Sequence, residues 1–171
     1  VSLVRFRGEA MQAAVPLGQG AMAAILGLED ADVEAACAEA AQGEVVQAAN
    51  YNSPGQVVIA GASAAVDRAI ELLKAKGAKR AIKLPVSVPS HSALMQPAAE
   101  RLEERLRSVE VKPAEGLDIY TVDVRKHSDA DGIRRALVEQ LVKPVRWTQT
   151  IQAIVASGAR VFAGDVELVP R

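Results

Sequence analysis

His91 stands between Ser90 and Ser92, at the end of the run Leu84-Pro85-Val86-Ser87-Val88-Pro89 and just before a helical pattern begins at Ala93. It is one of only two histidines in the chain. Imidazole accepts and releases a proton near neutral pH, and the place where a strand gives way to a helix often holds such groups in α/β folds. A loop histidine also serves as a solvated or capping residue, so position alone leaves its role open. Gln140 is a second candidate. It follows Ile133 by seven residues and Leu137 by three, which puts it on the apolar stripe of a helical pattern. A buried amide needs hydrogen-bond partners, and nearby backbone is their simplest source. Arg7, read alone, is a charge near the end of a helix.

The elements that must position these residues follow from periodicity. Leu3, Phe6, Ala10 and Ala13 share one face of a helix over Ser2 to Ala14, which starts without a cap signal, as if cut from a longer chain. Residues 20 to 85 alternate as β-α-β-β-α-β. The expected parts are a strand over Met22 to Leu26 and a helix from Asp30 or Asp32 with Val33, Cys37, Ala40 and Ala41 inward. Strands over Val45 to Ala49 and Gln56 to Ala60 follow, joined by Asn50 to Gly55, then a helix over Ala64 to Lys76 and a strand over Ala81 to Val86. Pro54-Gly55 suits the two centres of a type II turn, because proline presets φ and glycine accepts φ > 0. This is a ferredoxin-like pattern. Beyond it the expected order is a helix over Ala93 to Arg107, kinked or delayed by Pro97, and a strand over Asp118 to Val124. A helix over Ala130 to Val142, a helix opened by Pro144 and a strand over Arg160 to Ala163 complete it.

Composition narrows the function classes. With 171 residues and 50% hydrophobic content there is enough material for a real core. A net charge of −1 argues against a nucleic-acid binder. The single cysteine, Cys37, allows no intrachain disulfide and no cysteine metal cluster, so a buried structural role in a reducing compartment, the cytoplasm, is expected. No apolar run approaches the ~18 residues of a membrane span, and no membrane association is expected.

The motifs together resemble the bacterial malonyl-CoA:acyl carrier protein transacylases, members of the acyltransferase family. The resemblance rests on Val4-Arg5-Phe6-Arg7-Gly8, Met11-Gln12, Gly20 to Gly27, Asn50-Tyr51-Asn52-Ser53-Pro54-Gly55-Gln56 to Gly61, Val86 to His91 and Gln140-Leu141-Val142-Lys143-Pro144-Val145-Arg146-Trp147, in order from about residue 2 to residue 162. It implies an α/β fold: part of an α/β-hydrolase-like core into which a ferredoxin-like (βαββαβ) subdomain is inserted. Residues 1–17 would be a core helix carrying Arg7, 18–86 the subdomain, and 87–171 the remainder of the core. The implied reaction transfers malonyl from malonyl-CoA to the phosphopantetheine thiol of acyl carrier protein through a seryl ester, without a cofactor. His91 would be the base and Gln140, through its side chain or its carbonyl, its orienting partner. Arg7 would grip the malonyl carboxylate, Met11 line the acyl pocket, and Asn50 and Asn52 contact the pantetheine arm, although both asparagines also suit a turn. Lys74, Lys76, Lys79, Arg80 and Lys83 would attract the acidic carrier protein, or simply form a solvated face.

The chain departs from the family's pattern in three places. The resemblance implies a nucleophilic serine on a G-H-S-L-G type elbow upstream of Arg7 and a first oxyanion-hole segment, and these 171 residues contain neither. Thr121 stands where asparagine is usual, and Ala163-Gly164-Asp165-Val166-Glu167 replaces an E-x-G-P-G segment. The alternative reading is a non-catalytic scaffold that binds acyl-CoA or carrier protein.

Overall fold

The small residues of the central segment pair into one antiparallel sheet, and its two helices cover a single face. The computed structural model describes residues 2–86 and 88–160. In chain order its elements are α1 (Ser2–Ala14), β1 (Gly20–Leu26), α2 (Asp30–Ala41), β2 (Val46–Ser53), β3 (Gln56–Ala62), α3 (Ser63–Ala75) and β4 (Arg80–Lys83). A 3-10 turn (Ala93–Met95) leads into α4 (Gln96–Arg107), β5 (Ile119–Tyr120), β6 (Lys126–His127), α5 (Ala130–Glu139) and α6 (Trp147–Ala156). The strands lie in the order β2-β3-β1-β4, with β5 and β6 forming a separate hairpin. The fold is mixed α/β.

Alternation sorts the sheet's side chains. Ala21, Ala23, Ile25, Ala48, Val57 and Ile59 pack against Val33, Cys37, Val66, Ala69 and Leu73 of α2 and α3. Met22, Ala49, Val58 and Ala60 face the other way, with Leu84 against them. Cys37 is buried, and burial followed by the charge of Glu34 pushes its thiol up to about 12. A second core joins α1, α4 and Leu141 through Ala10, Met11, Met95, Ala98, Ala99, Leu102 and Leu106.

Several expected boundaries move, each for a local reason. The loop expected over Asn50 to Gly55 shrinks to Pro54-Gly55, where Gly55 has φ +74. Residues 50–53 stay extended because β3 pairs with one edge of β2 and Val145 with the other, while the Tyr51 hydroxyl donates to Glu34. β4 ends at Lys83, ahead of Pro85, which has no N–H to offer a ladder. Pro97 delays α4 to Gln96, where it occupies the first turn that tolerates it. The strand expected over Asp118 to Val124 is instead the β5–β6 hairpin. Its turn closes with Val124 N donating to Thr121 O, and the Asp123 carboxylate accepts from Thr121 Oγ1, Arg125 N and His127 Nε2. α5 stops at Glu139, and α6 begins at Trp147 rather than at Pro144, because the backbone of Val145 is committed to β2. The final strand expected over Arg160 to Ala163 and the tail after it fall, past Arg160, outside the described residues, as does Ser87. No helix among the described residues is long and apolar enough to cross a membrane.

Candidate active site

His91 takes φ +59, a left-handed conformation uncommon outside glycine. Its loop is tied down on both sides. Ser92, completely buried, donates its hydroxyl to Pro89 O at 2.6 Å. Ser90 N donates to Val88 O and Met95 N to Ser92 O, each at 2.9 Å. Ala93 N donates to the side-chain oxygen of Gln47 at 3.1 Å. With its hydroxyl committed and sealed from solvent, Ser92 is unsuited to attack an incoming thioester.

The ring of His91 points its Nδ1 at the main-chain carbonyl of Gln140, 2.6 Å away. A carbonyl only accepts, so Nδ1 carries the proton and neutral His91 keeps the lone pair on Nε2. Burial, reinforced by the positive charge of Arg7, pulls its pKa below the ordinary histidine value against the opposing pull of the Gln140 and Lys143 carbonyls. Gln140 itself is half-buried and caps the C-terminus of α5, so the expected buried amide is corrected. A helix end leaves its last carbonyls without intrahelical partners, which is why this oxygen is available.

Arg7 lies on α1, half-buried, and burial lowers its pKa. Its Nε is buried and finds no acceptor among the described residues. Met11, one turn on, is 9% exposed and packs in the second core with Met95 and Leu141, which anchors α1 against the residues flanking His91 and Gln140. The structure thus brings His91 to the Gln140 carbonyl and within electrostatic reach of Arg7, while Met11 lies in the core that joins α1 and α4.

Asn50 and Asn52 belong to β2, not to a turn. Ala48 pairs with Ile59 and Asn50 with Val58, so the ladder slips by one residue at Ala49. The slip turns Tyr51 towards the helices and Asn50 to the face of Val58, since directly opposed residues share a face. Neither asparagine makes a side-chain hydrogen bond among the described residues. Of the basic cluster, Lys74 pairs with Glu71, Lys76 with Glu39 and Lys83 with Asp67. Lys79 and Arg80 have no ion pair among the described residues.

Sequence reasoning missed Gln47 and Val145. The one signal for Gln47 was a polar amide interrupting the apolar run from Val45 to Ala49.

Residues 1–167 match the family model described as the acyl transferase domain. Over 163 residues the chain is 52% identical to a malonyl CoA-acyl carrier protein transacylase of Haemophilus influenzae, covering 95% of this chain and 52% of that protein. A solved malonyl CoA-acyl carrier protein transacylase of Coxiella burnetii superposes with TM-score 0.89 at 52% identity, over 92% of this chain and 50% of that one. A malonyl-transacylase solved in complex with its type II PKS acyl-carrier protein gives TM-score 0.90 at 51% identity, over 92% and 51%. The chain spans about half the length of the curated relatives it matches. A family match over nearly every residue leaves one assignment: this chain belongs to the acyl transferase domain family.

Proposed function

We propose that this chain supplies the base and the acyl-selecting arginine of a malonyl-CoA:acyl carrier protein transacylase. One observation carries the reading. A histidine with Nε2 as its free basic nitrogen lies within the electrostatic reach of a half-buried guanidinium whose Nε lacks an acceptor. A malonyl thioester presents both a reacting carbonyl and a free carboxylate, and a guanidinium recognises the latter as a planar two-pronged donor.

In this scheme a serine Oγ attacks the malonyl thioester carbonyl while His91 Nε2 takes the serine proton. Collapse of the tetrahedral intermediate expels the CoA thiolate, which receives that proton. The phosphopantetheine thiol of the carrier then gives its proton to His91, attacks the seryl ester and releases serine, which takes the proton back. Gln140 holds the ring through its carbonyl, Arg7 binds the carboxylate, Met11 backs the acyl pocket, and Asn50 and Asn52 meet the pantetheine arm. No cofactor is called for. Lys79 and Arg80 are the charges left to greet an acidic carrier.

The same reading makes residues 18–86 a ferredoxin-like subdomain, supported by the antiparallel order β2-β3-β1-β4. Residues 1–17 and 87–171 then belong to an α/β-hydrolase-like core, in a cytoplasmic enzyme. The test is a chimera joining the N-terminal half of the Haemophilus influenzae relative to this chain. Labelled malonyl should pass from malonyl-CoA to holo carrier protein, and His91→Ala should remove that transfer. An active His91→Ala chimera would overturn the assignment.

A further inference from the structure

Strand β2 touches both arms of the His91 site. At one end, Gln47 Oε1 accepts from Ala93 N at 3.1 Å, two residues past the histidine and 46 residues away in sequence. At the other, Val145 N donates to Ala49 O and Tyr51 N to Val145 O, both at 2.8 Å. Val145 lies five residues beyond Gln140, whose carbonyl holds the ring. One rigid strand therefore sets the spacing between the loop that presents His91 and the segment that orients it.

Gln47 is turned to the correct face by the sheet. It pairs with Ala60, which pairs in turn with Met22, and both belong to the face opposite α2 and α3. The ladder slip at Ala49 then presents that residue's carbonyl to Val145 on the strand's open edge. Within this arrangement Gln47 is the only side chain of β2 that hydrogen-bonds the His91 loop among the described residues.

We infer that Gln47 is a positioning residue: its amide oxygen, mounted on β2, keeps the His91 loop in its left-handed conformation and so keeps Nδ1 directed at the Gln140 carbonyl. A left-handed non-glycine residue persists only where its surroundings over-determine it. The backbone N–H of Ala93 is the first fixed main-chain donor beyond that residue among the described residues. Losing its acceptor frees the loop to relax towards φ < 0 and swing the ring away from Gln140.

The significance for proton transfer rests on the function proposed above, but the geometric claim does not, and its test is read without turnover. In the 15N-labelled 171-residue chain, long-range 1H–15N spectra report which ring nitrogen of His91 carries the proton. The unsubstituted protein should show the Nδ1–H tautomer alone. Gln47→Leu, similar in size but without an acceptor, should bring the Nε2–H tautomer to a comparable population. Gln47→Glu keeps an oxygen at that distance and should restore the single tautomer. If Gln47→Leu fails to fold, Gln47→Ser, too short to reach Ala93, carries the same expectation. A single Nδ1–H tautomer in a folded loss variant would overturn the inference. Failure of the chimera's malonyl transfer would sink the proposed function and leave this result standing.

Discussion

His91 and Gln140 meet ring nitrogen to main-chain oxygen, 2.6 Å apart across 49 residues of sequence. Because the acceptor is a carbonyl, the contact fixes the tautomer without a carboxylate, the group that does this in a serine–histidine–aspartate triad. It also separates the identity of residue 140 from its role.

Gln140→Ala should therefore be mild. The carbonyl remains, and Gln140 N still donates to Ala136 O at 3.1 Å. In the chimera, transfer should fall by less than about tenfold, whereas His91→Ala should slow acylation by roughly 10²-fold or more, the range of a lost general base. A loss in Gln140→Ala as deep as in His91→Ala would show that the side chain matters after all.

The lowered pKa of His91 has a definite sign. The folded protein binds fewer protons at this ring than the unfolded chain, whose histidine titrates near ~6.5. Stability from this group is thus complete above about 6.5 and is lost as pH falls from there towards the lower folded value. Urea unfolding at pH 5 and pH 7 should give a smaller difference for His91→Gln than for the unsubstituted chain. The acid limb of transfer should likewise lie below ordinary histidine titration, so a midpoint above 6.5 would contradict the burial argument.

Arg7→Ala should cut malonyl transfer and raise acetyl transfer relative to it. A charged hydrogen bond contributes roughly 1.5–3 kcal/mol, so losing one should shift the malonyl-to-acetyl ratio by about one to two orders of magnitude. Competition between the two labelled CoA thioesters in the chimera measures that ratio directly. An unchanged ratio would remove Arg7 from acyl selection.

Gly61 tests the sheet that carries Gln47. It lies opposite Val46 on β2, and an added Cβ would collide with Val45 O and come within 2.6 Å of Val46 Cα. Both obstacles are backbone, so Gly61→Ala must push β2 from β3. The expected destabilisation is about 1–3 kcal/mol by urea unfolding, the range of overpacking. The same substitution should broaden the His91 ring signals if β2 braces the site.

Much of the architecture was written in local patterns. The short apolar run Met22 to Leu26 marks a strand, the period-3.6 run Val66, Ala69, Ile70 and Leu73 marks a buried helix face, and Pro54-Gly55 marks the turn between β2 and β3. Such signals are carried by side chains, so the sequence determined the β-α-β-β-α-β order and put His91 at the junction before α4. Helical periodicity also singled out Gln140, whereas Arg7 stood out only through the family resemblance. What the sequence left undecided are the contacts made by the main chain. Every non-proline residue offers the same N–H and C=O, so no pattern says that the Gln140 carbonyl, rather than its amide, meets His91. Nor could it say that Val145 would zip onto β2, hold Asn50 to Ser53 extended and delay α6 to Trp147. His91 and Gln140 lie 49 residues apart in the chain, and Val145 lies 94 and 96 residues from its partners Tyr51 and Ala49. Only the packed tertiary structure brings their identical backbone groups to one place and decides which of them bond.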